Sequence, residues 1–135
     1  MGNTIITEKN LVFVYGTLKR GCRNNHYLDD AIFLGEAETC EKYLMRRHKY
    51  RYPAVIENIN DYIASIQHAY LIIGELWLCS DRTLKLLDRL EGVPDLFYRK
   101  EITIIQDAKV LEAWIYFFNY NLKDELKEII LEWKE

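Results

Sequence analysis

The chain has 135 residues, of which half are hydrophobic and 29% charged, and its 18 basic and 21 acidic side chains leave a net charge of -3. A single domain spanning residues 1–135 with its own core is the expectation for this length. The balance speaks against the basic footprint of a nucleic-acid binder, and no apolar run approaches the roughly 20 residues of a membrane-spanning helix.

The chain opens Met1-Gly2-Asn3-Thr4-Ile5-Ile6, which begins like a myristoylation signal but carries Ile6 where Ser or Thr is required. No signal peptide is visible. Leu11-Val12-Phe13-Val14 is then an unbroken apolar run closed abruptly by Tyr15-Gly16-Thr17 and followed by Lys19-Arg20. Such a run predicts a buried central strand ending in a tight loop, where a rigid scaffold displays chemistry. Asn24 to Asp30 predicts a short helical turn with Asn24 or Asn25 as cap. Ile32 to Tyr43 predicts a longer strand with a bulge near Gly35, and Glu36, Glu38 and Glu41 read as its solvent side.

The segment Arg46-Arg47-His48-Lys49-Tyr50-Arg51-Tyr52-Pro53 is basic and aromatic together. It fits a nucleic-acid patch, a solvated turn before a short Ala54-Val55-Ile56 strand, or a lure for a small anion. Residues 57–69 are polar and weakly patterned, and read as a surface excursion. Leu71 to Leu78 predicts a second buried strand in which Gly74 marks a bulge or close backbone approach. Ser80 caps a helix from Asp81 to about Glu91, stopped by Gly92 and Pro94. Phe97 to Ile105 and Leu111 to Phe118 predict an antiparallel hairpin around Gln106 to Lys109. The tail, Asn121 to Glu135, spaces Leu122, Leu126, Ile129, Ile130 and Trp133 as an amphipathic helix covering the fold or a partner subunit. Strands dominate, so the expected class is α+β around a small mixed β-barrel with flanking helices.

Cys22, Cys40 and Cys79 are odd in number and contain no C-x-x-C pair, while His26, His48 and His68 lack metal-ligand spacing. Neither a disulfide framework nor a metal site is expected, and a reducing cytoplasm is the fitting compartment.

One carboxylate stands out. At about 100° per residue, Glu91 falls between Leu84 and Leu87 on the apolar side of its helix. Burial and the negative end of the helix dipole would both raise its pKa toward the range useful for proton transfer at neutral pH. The alternatives are a frayed end with Glu91 in water, or pairing with Arg89 or Arg99. Glu75, the rival acid, is expected to partner a backbone group or a basic side chain.

Val14-Tyr15-Gly16-Thr17-Leu18-Lys19-Arg20-Gly21, followed by Asn25-His26, resembles the signature loop of the γ-glutamylcyclotransferase-like family. The likeness is greatest to its γ-glutamylamine cyclotransferase branch. Gly74-Glu75-Leu76, Leu87-Asp88-Arg89-Leu90-Glu91 and Tyr98-Arg99 match the second half in order, so the resemblance runs from about Leu11 to Phe118. It implies a small barrel with a cavity at one side, and cofactor-independent closure of 5-oxoproline from a γ-glutamyl amine with release of the free amine; the alternatives are a cyclotransferase for γ-glutamyl amino acids or peptides, or a non-catalytic small-ligand-binding module on the same fold. Glu91 maps onto the catalytic glutamate, and Tyr15, Gly16, Thr17 and Leu18 onto the substrate-binding segment. Tyr98 and Tyr116 become candidate cavity walls, and Lys19 and Arg20 rim charges. The implied partner is a small γ-glutamyl molecule, with no nucleic acid or membrane, on a monomer or weak homo-oligomer. One extra residue between Gly21 and His26 and the basic segment from Arg46 to Arg51 depart from the branch.

Overall fold

The first apolar run is a strand buried on both faces. In the computed structural model, which describes residues 8–57 and 69–135, β1 (Glu8–Val14) pairs antiparallel with β4 (Tyr70–Ser80) and parallel with β6 (Lys109–Phe118). Its alternate side chains enter two different cores. Phe13 and Tyr15 join Met45, Ile72, Leu76, Ile104, Ile115 and Phe117 inside the curled sheet. Val12 and Val14 join Trp77, Leu84, Leu87 and Phe118 in the layer beneath the helix.

The sheet closes on itself. β2 (Ile32–His48), β4, β1, β6 and β5 (Phe97–Gln106) are paired in that order, and β5 returns to β2 through Glu38 and Thr39. These five strands form a barrel, and the α+β architecture expected from the sequence is the one observed. β2 is long enough to serve two layers because it is irregular. Its register against β4 shifts between Phe33 and Gly35, where Gly35 has φ 112°, and again between Glu38 and Lys42. It continues past Tyr43 to His48 because its outer end pairs with β3 (Pro53–Ile56) on one side and β7 (Leu126–Ile129) on the other.

Among the described residues one α-helix occurs, α1 (Asp81–Leu90), which begins where Ser80 Oγ accepts the Thr83 N–H at 3.2 Å and ends before Gly92, whose φ is 67°. Gly74 makes the close approach expected of it, since a Cβ there would lie 2.5 Å from the Val14 carbonyl oxygen. Asp107 and Ala108, both with positive φ, turn the β5–β6 hairpin. The early helical turn is a 3-10 segment, Asn25–Leu28, and Asn24 makes no side-chain cap. Residues 1–6 and most of the 57–69 excursion lie outside the described residues.

The C-terminal helix expected over Asn121 to Glu135 is not formed. Tyr120–Glu125 is a 3-10 turn, and the chain then runs extended as β7 along β2. The free edge of β2 offers backbone partners that outweigh the helix-favouring Leu, Lys and Glu content of the tail. Leu126 and Trp133 are buried, whereas Ile129 and Leu131 are exposed.

Candidate active site

Beyond Val14 the chain leaves the sheet and borders a cavity of about 220 Å³, lined by residues 13–18 together with Leu90, Glu91 and Leu96. The loop is fixed from behind. Tyr15 Oη donates to the Tyr116 carbonyl at 2.7 Å and meets the Val55 N–H at 3.4 Å. A Cβ on Gly16 would lie 2.5 Å from Pro53 Cγ, so only glycine lets β3 press against the loop. The Asn24 amide donates to Thr17 Oγ1, and the Asn25 amide to the Leu18 carbonyl, both at 2.9 Å. Lys19 N–H closes a turn on the Gly16 carbonyl at 3.0 Å. Among the described residues the N–H groups of Gly16, Thr17 and Leu18 meet no acceptor. Three successive unengaged donors beside a cavity make a cradle for a carboxylate or an oxyanion.

The end of α1 brings two carboxylates near this loop, and they differ sharply. Asp88 is fully engaged: Arg99 reaches it through Nε at 2.8 Å and Nη2 at 3.1 Å, and Tyr116 Oη donates to it at 2.7 Å. Arg99 is held in turn over the Trp114 ring, 4.2 Å from its centre. Glu91, three residues on, has no side-chain partner among the described residues. Its N–H ends the helix on the Leu87 carbonyl at 2.9 Å, and its side chain lines the cavity. The pairings with Arg89 or Arg99 are therefore not made. The cavity leaves Glu91 some accessible surface, but the surrounding protein deprives its ionised form of water. That desolvation pushes its pKa up to about 7.

Three tyrosines also wall this space, Tyr15, Tyr52 and Tyr116. Burial raises the pKa of each, and the Glu91 charge adds to it. Tyr15 and Tyr116 give their hydroxyl protons to protein acceptors. Tyr52 does not; among the described residues its hydroxyl has no partner. Its ring lies flat on the buried His48, 4.3 Å between centres and 11° from parallel, and His48 Nε2 bonds Glu125 at 2.6 Å.

The structure thus brings Tyr15, Gly16, Thr17, Leu18 and Glu91 to one cavity. Tyr116 is there too, but Tyr98 points elsewhere, donating to Glu57 at 2.7 Å. Lys19 and Arg20 are not rim charges of the cavity. Lys19 is buried and donates to the Trp133 carbonyl at 2.6 Å, and Arg20 pairs with Glu75. Glu75 also accepts the Arg20 N–H at 2.9 Å and the Trp77 indole at 3.2 Å, the structural role expected of it. Two wall residues escaped the sequence reading, Arg23 and Tyr52. Arg23 sits in the loop without periodicity to mark it, and Tyr52 was absorbed into the basic segment. Among the described residues no cluster of three His, Cys, Asp or Glu could hold a metal ion.

Residues 12–134 match the family described as gamma-glutamyl cyclotransferase, AIG2-like. The chain belongs to that family. A Methanocaldococcus jannaschii protein provisionally named a gamma-glutamylcyclotransferase is 42% identical over 109 residues, covering 79% of this chain and 82% of that one. A bovine member named gamma-glutamylaminecyclotransferase is 32% identical over 115 residues, covering 78% of this chain and 63% of that one. In three dimensions a mouse AIG2-like protein superposes with a TM-score of 0.76 at 20% identity, over 93% of this chain and 88% of that one. That likeness establishes the gamma-glutamyl cyclotransferase, AIG2-like fold.

Proposed function

We propose that the protein is a γ-glutamylamine cyclotransferase that converts γ-glutamyl amines, such as γ-glutamyl-ε-lysine, into 5-oxoproline and a free amine without a cofactor. The observation that carries this reading is the unpaired Glu91 carboxylate, with a pKa of about 7, in the same cavity as the free N–H groups of Gly16 to Leu18.

The substrate's α-ammonium must lose a proton before its nitrogen can attack the γ-carbonyl carbon. Glu91 takes that proton, the new C–N bond forms, and the carbonyl oxygen becomes an oxyanion facing the loop donors. Glu91 returns the proton to the departing nitrogen as the old C–N bond breaks and the carbonyl re-forms. The second proton on the attacking nitrogen follows through the same carboxylate. The lactam keeps one N–H and the amine leaves as its ammonium form. Tyr15, Gly16, Thr17 and Leu18 hold the γ-glutamyl chain folded for ring closure, an entropic advantage worth several kcal/mol. Tyr52 supplies a further phenolic donor among the residues lining the cavity.

A cavity of about 220 Å³ is smaller than the roughly 300–1,000 Å³ of common ligand pockets, which suits an amino-acid-sized group. A desolvated carboxylate without a protein partner among the described residues suits proton transfer at this position. Incubation with γ-glutamyl-ε-lysine and with γ-glutamyl-alanine, followed by measurement of 5-oxoproline, tests the reading. Product from the first supports it, product from the second alone moves the assignment to γ-glutamyl amino acids, and none from either overturns it.

A further inference from the structure

Among the described residues, Arg23 is the one cationic side chain that lines the cavity. Its side chain is 47% exposed, so it stands at the mouth, whereas Glu91 lies deeper in the protein. A carboxylate already rests against Arg23. Glu135 Oε1 accepts the Arg23 backbone N–H at 2.9 Å, and Oε2 accepts the Trp133 indole N–H at 2.9 Å with the Arg23 guanidinium 3.7 Å away. The guanidinium is steadied from the other side by the Arg51 carbonyl, on a residue with φ 65°. Lys19 holds the Trp133 carbonyl at 2.6 Å, which fixes the indole. A backbone N–H, an indole N–H and a guanidinium converging on one carboxyl group make a carboxylate receptor, not merely a surface ion pair.

We infer that Arg23 and Trp133 form a subsite for a carboxylate carried by the leaving amine, and that Glu135 occupies it until substrate arrives. This rests on the cyclotransferase reading of the cavity. With the scissile bond beside Glu91, the γ-glutamyl half lies inside and the amine half projects toward the mouth, where Arg23 waits. The preferred substrates are then γ-glutamyl derivatives of amino acids, joined through either their α- or their side-chain nitrogen. Plain alkylamines lack the group that displaces Glu135.

Matched substrates isolate the carboxylate. γ-Glutamyl-alanine is paired with γ-glutamyl-ethylamide, and γ-glutamyl-ε-lysine with γ-glutamyl-cadaverine; each pair differs only by that group. In the wild type, at least one acid-bearing member should exceed its partner in kcat/KM by about tenfold, the value of a charge-assisted contact. Arg23→Gln should bring that ratio close to one, and Glu135→Gln should raise it by lowering KM for the acid-bearing member alone. Equal ratios in wild type and Arg23→Gln would overturn the subsite. Binding is read separately from turnover in Glu91→Gln protein. The Trp133 indole N–H resonance should move on adding γ-glutamyl-alanine or γ-glutamyl-ε-lysine and stay in place with their decarboxylated partners. No difference within either pair rejects the subsite even if 5-oxoproline is made. A carboxylate-dependent shift without any 5-oxoproline from wild type rejects the cyclotransferase reading and keeps the subsite.

Discussion

The cavity wall and the basic segment are both rich in polar groups, yet they are organised in opposite ways. Along the outer end of β2 the charges meet partners from the C-terminal strand. Arg47 binds Glu128 through Nε at 2.6 Å and Nη2 at 3.1 Å, His48 binds Glu125, and Arg46 Nε donates to the Lys127 carbonyl at 2.5 Å. These charges are engaged within the fold and stitch β2 to the C-terminal strand. Around Glu91 the pattern reverses: among the described residues, the loop N–H groups, the Tyr52 hydroxyl and the carboxylate itself have no partners. Polar groups satisfied within the fold serve stability, while groups left unsatisfied beside a cavity await a ligand.

Exchanging Glu91 should produce the largest effect. Glu91→Gln is expected to lower turnover at least ~100-fold, the low end for loss of a general base. Over the same variant, stability should move the other way. Glu91 has a pKa of 4.5 when unfolded and about 7 when folded. Below 4.5 the carboxyl is neutral in both states and costs nothing through ionisation. From 4.5 to about 7 the unfolded chain ionises first, so the wild type loses stability as pH rises, and above 7 the penalty is full. The variant should therefore gain most at pH 8, by at most about 3 kcal/mol, and little at pH 4. Urea unfolding at the two pH values measures this; an equal gain at both would deny the buried charge. The same titration places the acid limb of kcat/KM near 7, with activity rising as Glu91 loses its proton. A pH profile flat from 5 to 8 would contradict it.

Next in size is the engaged carboxylate. Asp88→Asn should destabilise the fold by about 1–3 kcal/mol, because Arg99 and Tyr116 lose a charged acceptor. Activity should fall less than with Glu91→Gln, since Asp88 acts on the site only through its partners. Thermal denaturation beside a turnover assay separates the two carboxylates. Gly16→Ala should cost about 1–3 kcal/mol as the new methyl meets Pro53, and it should raise KM as the loop shifts. At the stitched end, Arg47→Ala should leave turnover unchanged and shift the denaturation midpoint only at low salt, because that pair is exposed. A loss of activity there would erase the contrast between the regions.

Much of the fold around the site is legible in the sequence. The two-faced burial of β1 follows from an apolar run without alternation, and the helix phase placed Glu91 on the cavity side. Ser80 and Gly92 bounded α1 because caps and stop signals are local chemistry. The tail was misread because Leu126, Ile129 and Trp133 satisfy a helical spacing, while the decisive fact, an open edge on β2, lies some eighty residues away. The partners of Asp88 and Arg47 are equally remote, so no local pattern distinguishes a satisfied charge from a waiting one. Tyr52 and Arg23 became visible only when β3 and the loop were folded against the same space.

β7 has one more consequence, which concerns neither catalysis nor specificity. The last turns of β2 project beyond the barrel, where closure no longer hides the strand's backbone. β3 covers one side there, and β7 covers the other through Arg46 and His48. Without that short strand, the outer end of β2 would present a row of open backbone groups to any neighbouring chain, the geometry from which edge-to-edge association starts. The C-terminal segment thus covers an edge that β2 would otherwise leave open.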